Sequence, residues 1–181
     1  MKKLDLSGLL LAGVVLMACC GGSAVAAGKA RTTVLDGRVS IELPDGYTRM
    51  SDSMIAKKYP QAAQRPGEAW FVESEHGNVS MAFSLTQNRI SASQLPDFAG
   101  VMEEQLSVYS PEVSEVTVNG EKMVRIELTT PDQNDPEGGI HNVMQLSSVD
   151  GRLMIATFNS TSALEERYLP AGKASLATLK Y

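Results

Sequence analysis

The sequence predicts an α+β fold, in which an antiparallel β-sheet built from hairpins has helices packed on both of its faces. Turn dipeptides recur between short apolar segments, which is typical of consecutive hairpins. One long segment carries the one-sided apolar stripe of an amphipathic helix. The predicted strands at 123–126 and 153–158 are apolar on both faces, so we expect cover on both sides of the sheet and a three-layer sandwich.

The first part of the predicted domain contains two hairpins with a short helix between them. Asp36-Gly37 and His76-Gly77 are the turn signals of the two hairpins. Between them, Ser51 can cap a helix that runs to Lys58 and that Pro60 ends.

The longest predicted helix follows the second hairpin, with Ser93 as its N-cap and Pro96 in its first turn. Its apolar residues recur at helical spacing and predict a single face against the core. They are Leu95, Phe98, Ala99, Met102, Leu106 and Tyr109.

The last part of the chain is predicted to hold two more hairpins and a terminal helical segment. The hairpins turn at Asn119-Gly120 and Asp150-Gly151, and a polar loop at 131–139 separates them. Ser162 and Glu165 have the spacing of a capping box, and we expect the helix to be interrupted at Pro170 and Gly172.

The composition limits the classes of function that this chain can have. The chain has 181 residues, 43% of them apolar and 20% charged, which suits one globular domain. Its formal net charge is −5, so it lacks the basic excess that non-specific nucleic-acid binding requires. We therefore expect no nucleic-acid partner.

The first 18 residues have the features of a signal peptide. Lys2 and Lys3 form a basic start, and an apolar run from Leu6 to Ala18 follows it. The run is too short to cross a bilayer as a helix, and no second long apolar run follows. The sequence therefore predicts export.

Cys19 and Cys20 are adjacent and are the only cysteines of the chain. A disulfide between neighbours is strained, and His76 and His141 have no zinc-site spacing relative to them. The segment Leu16-Met17-Ala18-Cys19 instead resembles the bacterial lipobox. That resemblance implies a diacylglycerol on Cys19, cleavage just before it, and residues 19–30 as the anchor and flexible tether of a domain at 31–181.

A second cleavage site competes with the lipobox. Ala24-Val25-Ala26 has the small-x-small pattern of ordinary signal peptidase sites. Cleavage near Ala26 would leave a soluble periplasmic or secreted protein without cysteine. We favour lipidation, and in both cases the domain carries no thiol chemistry.

Known catalytic motifs do not occur in the sequence. There is no Gly-x-Ser-x-Gly elbow and no glycine-rich phosphate-binding motif, so we expect neither an enzyme nor a cofactor. The only candidates for a metal site are weak and lie in the predicted polar loop. An EF-hand loop would need glycine at Glu137 and glutamate at Val143, so a plain polar turn is the preferred interpretation. The candidates are Asp132, Asn134, Asp135 and Glu137.

Candidates for partner binding are three aromatic residues beside loops and strand ends, where interface anchors often occur. They are Tyr47, Tyr59 and Trp70, and core packing is the alternative role for Trp70.

Three blocks of the sequence resemble the DcrB-like lipoproteins, a family with the PsbP-like fold. The blocks are "VLDGRVSIELPDGY", "NVSMAFSLTQNRISASQLPDFAGVMEEQL" and "DGRLMIATFNST" followed by a terminal helix. With their connections they cover residues 33–181. The resemblance implies an antiparallel sheet between helices and a non-enzymatic role in binding or assembly, and it supplies no catalytic residues.

Together these features predict a lipid-anchored, periplasm-facing protein of the bacterial envelope whose domain binds another protein. A periplasmic immunity or chaperone-type protein for a secreted effector is the alternative. An enzyme or ion-binding protein is a third hypothesis, and it depends on residues 132–137 alone.

Overall fold

A seven-stranded antiparallel sheet forms the middle layer of the computed structural model, which describes residues 30–132 and 135–181. The strands of this sheet lie in the order β3-β4-β5-β9-β8-β7-β6, and β1 and β2 form a separate hairpin. The strands are β1 (Thr32–Val34), β2 (Val39–Ile41), β3 (Tyr47–Arg49), β4 (Glu68–Val72), β5 (Val79–Arg89), β6 (Glu112–Val118), β7 (Glu121–Asp132), β8 (Asp135–Val149) and β9 (Arg152–Thr161). The helices are α1 (Asp52–Lys58), α2 (Leu95–Gln105) and α3 (Ser162–Leu176).

The predicted hairpin turns are confirmed. The turn between β6 and β7 places Asn119 and Gly120 at φ 51° and 89°, and the turn between β8 and β9 places Asp150 and Gly151 at 51° and 68°. These are the left-handed conformations that asparagine, aspartate and glycine tolerate best. The local turn chemistry therefore determines the pairing of four of the sheet's strands.

The sheet is covered on both faces, which confirms the three-layer prediction. On one face, α3 and the β1–β2 hairpin pack over a core that includes Phe83, Phe158 and Leu176. On the other face, α2 covers a core that includes Leu95 and Ile126. Helix α1 buries Ile55 against the β4–β5 part of the same second face.

The central strands show why both faces must be covered. In β9, Met154 and Phe158 belong to the first core. Leu153 belongs to the second core, and Ile155 packs against it. Alternation along a strand sends successive side chains to opposite faces, so an apolar run needs cover on both sides.

Helix α3 is continuous, so the predicted interruption at Pro170 and Gly172 is wrong. The helix tolerates a proline that cannot donate a backbone hydrogen bond, because apolar side chains on both sides of it pack against the sheet. At 15 residues α3 is also longer than α2, which has 11, so α2 is not the longest helix.

The predicted capping box of α3 is also wrong. Thr161 is the N-cap, and it makes no side-chain capping hydrogen bond. The Ser162 hydroxyl donates instead to the Gly139 carbonyl at 3.1 Å, and the Glu165 carboxylate faces His141. Both side chains of the predicted box therefore contact residues elsewhere in the fold instead of capping the helix.

Helix α2 presents its apolar stripe to the core as predicted, with Leu95 and Ala99 buried, although Tyr109 beyond its end is 37% exposed. Its predicted cap, Ser93, is wrong. Ser91 and Gln94 form a reciprocal capping box on a short 3-10 turn that leads into the helix.

The predicted polar loop at 131–139 is largely strand. Strands β7 and β8 remain paired through Pro131 with Gly139 and Asp132 with Asp135. A polar composition indicates a loop when it lies between elements, but it is equally compatible with the exposed end of a long hairpin. Gly139 permits the close pairing, since a Cβ there would lie 2.6 Å from the Thr129 methyl carbon.

The predicted signal peptide, Cys19 and most of the tether lie outside the described residues, so their boundaries remain predictions. Within 30–132 and 135–181, no helix is long and apolar enough to cross a membrane.

Candidate functional site

The candidate site is an open cavity of about 660 Å³ among the described residues. It lies where the β1–β2 turn, the segment before β4, and the facing ends of β5 and β9 meet. We call it the arginine pocket, because four arginines and two acidic residues contribute to its wall. They are Arg38, Arg49, Arg65, Arg152, Asp36 and Glu68.

Glu68 connects three parts of the pocket wall. Its side chain is only 7% exposed at the start of β4. One carboxylate oxygen, Oε2, accepts a hydrogen bond from the Leu35 backbone N–H at 3.0 Å. The other, Oε1, accepts from the Trp70 indole N–H at 3.0 Å and lies 3.3 Å from Nε of Arg49. These partners compensate the burial of the charge.

The β1–β2 turn has an unusual backbone. Leu35 and Asp36 adopt φ values of 54° and 58°, the left-handed region. For a bulky residue such as leucine this conformation is strained, and it persists only where surrounding contacts hold it. The hydrogen bond to Glu68 and the burial of the Leu35 side chain supply those contacts.

Two of the arginines hold backbone carbonyls. Arg65 donates from Nε to the Tyr59 carbonyl at 2.8 Å and from Nη2 to the Pro60 carbonyl at 3.0 Å. Arg152 donates from Nε to the Thr86 carbonyl at 2.8 Å and from Nη2 to Leu85 at 3.2 Å. A neutral carbonyl orients a guanidinium without cancelling its charge, so both arginines keep their full positive charge.

The other two arginines are paired with carboxylates. Arg38 lies 2.7 Å from an Asp150 oxygen, and Arg49, paired with Glu68, has a side chain that is 63% exposed. Four arginines thus contribute to the pocket wall together with Asp36 and Glu68. The pocket is a positive region on a chain whose net charge is −5.

The three predicted aromatic residues are not brought together. Tyr47 and Trp70 are half-buried and pack against the core beneath α3, and Trp70 also supports the pocket through Glu68. Tyr59 packs with α1 on the opposite face of the sheet, where its hydroxyl is buried. Burial raises the pKa of Tyr47 and of Tyr59. Their predicted role in partner binding stays a prediction.

Those predicted metal candidates that the structure describes do not converge on a site. Asp135 Oδ1 accepts a hydrogen bond from the Glu137 backbone N–H at 3.2 Å, which is a local turn contact. Asp132 pairs with Asp135 through the strand backbone, and Asn134 lies outside the described residues. No group of three or more histidine, cysteine, aspartate or glutamate side chains in the described part of the chain is arranged to hold a metal ion.

A second polar cluster joins α3 to the sheet. His141 on β8 lies between Glu127 of β7, at 3.6 Å from Nε2, and Glu165 of α3, at 3.5 Å from Nδ1. Lys173 of α3 also reaches Glu127, at 2.6 Å. The contacts of this polar cluster run between neighbouring elements of the fold, so we interpret the cluster as a structural link.

The sequence contains no motif that relates the arginines of the pocket to one another. Its arginines lie on four separate segments, at 38, 49, 65 and 152, with no common spacing. The Asp36-Gly37 dipeptide predicts the turn that forms one wall of the pocket, and it is the only such signal in the sequence.

Comparison with known proteins shows the fold. No protein-family model matches the sequence, and no curated protein matches it. The solution structure of cyanobacterial PsbP (CyanoP) from Synechocystis sp. PCC 6803 is similar over 91% of this chain and 98% of that one, with 11% identity and a TM-score of 0.51. A crystal structure from Bacteroides thetaiotaomicron VPI-5482 is similar over 83% of this chain, with 10% identity and a TM-score of 0.53.

The Bacteroides protein is longer, since the match covers 47% of its chain. LpqN of Mycobacterium tuberculosis, described as involved in cell envelope biogenesis, has 9% identity over 86% of both chains. Its TM-score is 0.44. The chain has an α+β, PsbP-like fold, and at these identities the likeness extends to the fold alone.

Proposed function

We propose that this chain is a non-enzymatic binding protein of the bacterial cell envelope, held at the membrane surface by a lipid on Cys19. The observation that carries the binding role is the arginine pocket, whose walls come from distant segments and are joined by Glu68. Such preformed walls reduce the ordering cost of binding.

The chemistry of the pocket favours recognition over catalysis. Guanidinium groups stay protonated in proteins, so they donate hydrogen bonds and attract negative charge but do not accept protons as general bases. Glu68 uses its oxygens for Leu35, Trp70 and Arg49. These groups are suited to holding a ligand.

The envelope location is supported by the sequence. The signal-peptide features of residues 1–18, the lipobox-like segment before Cys19 and the resemblance to DcrB-like lipoproteins all favour it. The tether of residues 19–30 would span at most about 40 Å when extended. The domain would thus remain near the bilayer at a high effective concentration for membrane partners.

Affinity capture from the host envelope tests this proposal. We expect a protein partner that is recovered with the native chain and lost with Cys19→Ala, because the variant cannot be lipidated. Partners recovered equally with both forms would contradict a role that depends on the anchor. A secreted effector as the main captured protein would favour the immunity or chaperone alternative instead.

A matched pair of arginine variants tests whether capture uses the pocket. Arg49 and Arg167 are both exposed and both paired with a glutamate, but only Arg49 lines the pocket. Arg49→Gln should reduce recovery of the partner, whereas Arg167→Gln should not. Equal recovery with both variants would place the binding surface elsewhere.

A further inference from the structure

We propose that the arginine pocket binds the phosphate group of a small anionic ligand. This inference names a ligand for the pocket on which the proposed binding role rests, and it depends neither on the anchor nor on a protein partner. The ligand is defined by its chemistry: one or more phosphates small enough for a cavity of about 660 Å³. Sites for small molecules commonly have volumes in this range.

The charge of the pocket favours an anionic ligand. Arg65 and Arg152 donate only to carbonyl oxygens among the described residues, so no side chain there neutralises them. Two like charges in one cavity wall repel each other, and a bound anion would remove that cost. A phosphate group carries the negative charge for this and has enough oxygens to accept from several arginines.

The geometry of Arg49 also favours a phosphate ligand. The guanidinium of Arg49 uses Nε for Glu68, and the structure records no further partner for its two terminal nitrogens among the described residues. A planar pair of N–H donors matches two phosphate oxygens. Glu68 thus orients Arg49 much as the carbonyls orient Arg65 and Arg152.

The pocket also contains a charge that should oppose an anion. Asp36 is exposed on the β1–β2 turn and lines the cavity. Its φ of 58° is one that asparagine adopts as readily as aspartate. Asp36→Asn therefore removes the negative charge while keeping the backbone, and it should increase affinity for phosphate.

Two sources of phosphate share this chemistry: a soluble phosphate ester and the headgroup of an anionic lipid. Glycerol 3-phosphate and dihexanoyl-phosphatidylglycerol distinguish them, since the second adds the diester and acyl chains of a lipid. Tighter binding of glycerol 3-phosphate indicates a soluble ligand, and tighter binding of the lipid indicates a headgroup. Either result supports a phosphate site.

The test is isothermal titration calorimetry on the full-length protein in a neutral detergent, with inorganic pyrophosphate and the two probes above. We expect saturable binding of pyrophosphate that weakens as salt rises. Arg49→Gln should weaken it about ten-fold, and Asp36→Asn should strengthen it about three-fold. Arg167→Gln, the exposed arginine outside the pocket, should leave it unchanged.

Opposite effects of two variants in one cavity cannot come from partial unfolding, because unfolding would weaken binding in both. The proposal is overturned if none of the three probes binds, or if Arg49→Gln and Arg167→Gln have equal effects. Loss of binding in Asp36→Asn would also overturn it. Failure here would leave the capture experiment with Cys19→Ala unaffected, so the two proposals can fail separately.

Discussion

The backbone N–H of Leu35 donates a 3.0 Å hydrogen bond to the buried carboxylate of Glu68, 33 residues further along the chain. This contact joins the strained β1–β2 turn to the main sheet at β4. The same carboxylate accepts the indole N–H of Trp70 and pairs with Arg49. One buried charge therefore determines both the shape of the turn and the position of an arginine in the pocket.

Replacing Glu68 should lower stability. Glu68→Gln substitutes an N–H₂ group for one oxygen, so a buried donor, either Leu35 N–H or Trp70 Nε1–H, would face another donor. We expect a loss of about 1–3 kcal/mol in the free energy of unfolding. Urea denaturation measures it as a lower midpoint with an unchanged slope.

Glu103→Gln is the matched control, because Glu103 is exposed on α2. It should change the unfolding free energy by less than about 0.5 kcal/mol. Similar midpoints for the two variants would show that the Glu68 contacts contribute little to stability.

Gly172 is required for the packing of α3 on the sheet. A methyl group at this position would overlap the ring of Phe158, which is fully buried in the core. Gly172→Ala should therefore destabilise the protein by about 1–3 kcal/mol, despite the better helix propensity of alanine.

The control is Gly100→Ala on α2, where a methyl group meets nothing within 4 Å. There alanine should stabilise the protein by up to about 1 kcal/mol. Thermal unfolding of both variants should show shifts of opposite sign. An increase in melting temperature for Gly172→Ala would mean that α3 does not pack closely on Phe158.

Stability should fall at alkaline pH. Burial, followed by the nearby Tyr168, raises the pKa of Tyr47 above its ordinary value of 10.0. Below that value Tyr47 is protonated in both states, and its contribution to stability is complete. At higher pH the unfolded chain ionises first, so the unfolding free energy falls by up to about 1.4 kcal/mol per pH unit until the folded pKa is passed.

Tyr47→Phe tests this linkage, because phenylalanine has no phenol to ionise. Between about pH 9 and about pH 11 the native protein should lose more unfolding free energy than the variant does. Equal losses over this interval would show that Tyr47 is not protected from ionisation by the fold.

The sequence predicts those parts of the fold that depend on residues adjacent in the chain. The turns at Asn119-Gly120 and Asp150-Gly151 adopt left-handed backbones in the structure, as their composition requires. Tertiary contacts decided the rest. Helix α3 continues through Pro170 because its apolar side chains pack against the sheet, and the Ser162 hydroxyl bonds Gly139 instead of capping the helix.

The arginine pocket could not be predicted because no local rule relates its members. Arg49 and Arg152 are more than a hundred positions apart and meet only once the sheet has formed. The contacts of the buried Glu68 are equally non-local. Its partner Leu35 belongs to the β1–β2 hairpin, whereas Glu68 lies in β4. The role predicted for Cys19, by contrast, depends only on the few residues that precede it in the sequence.

The mass of the mature N-terminus decides whether a lipid on Cys19 holds this protein in the envelope. Mass spectrometry of the protein from its host membranes should show a chain that begins at Cys19 and carries the mass of a diacylglycerol. The same protein made with Cys19→Ala should lack that mass. An unmodified N-terminus at Ala27 in the native protein would rule out the lipid anchor and show a soluble, unanchored form.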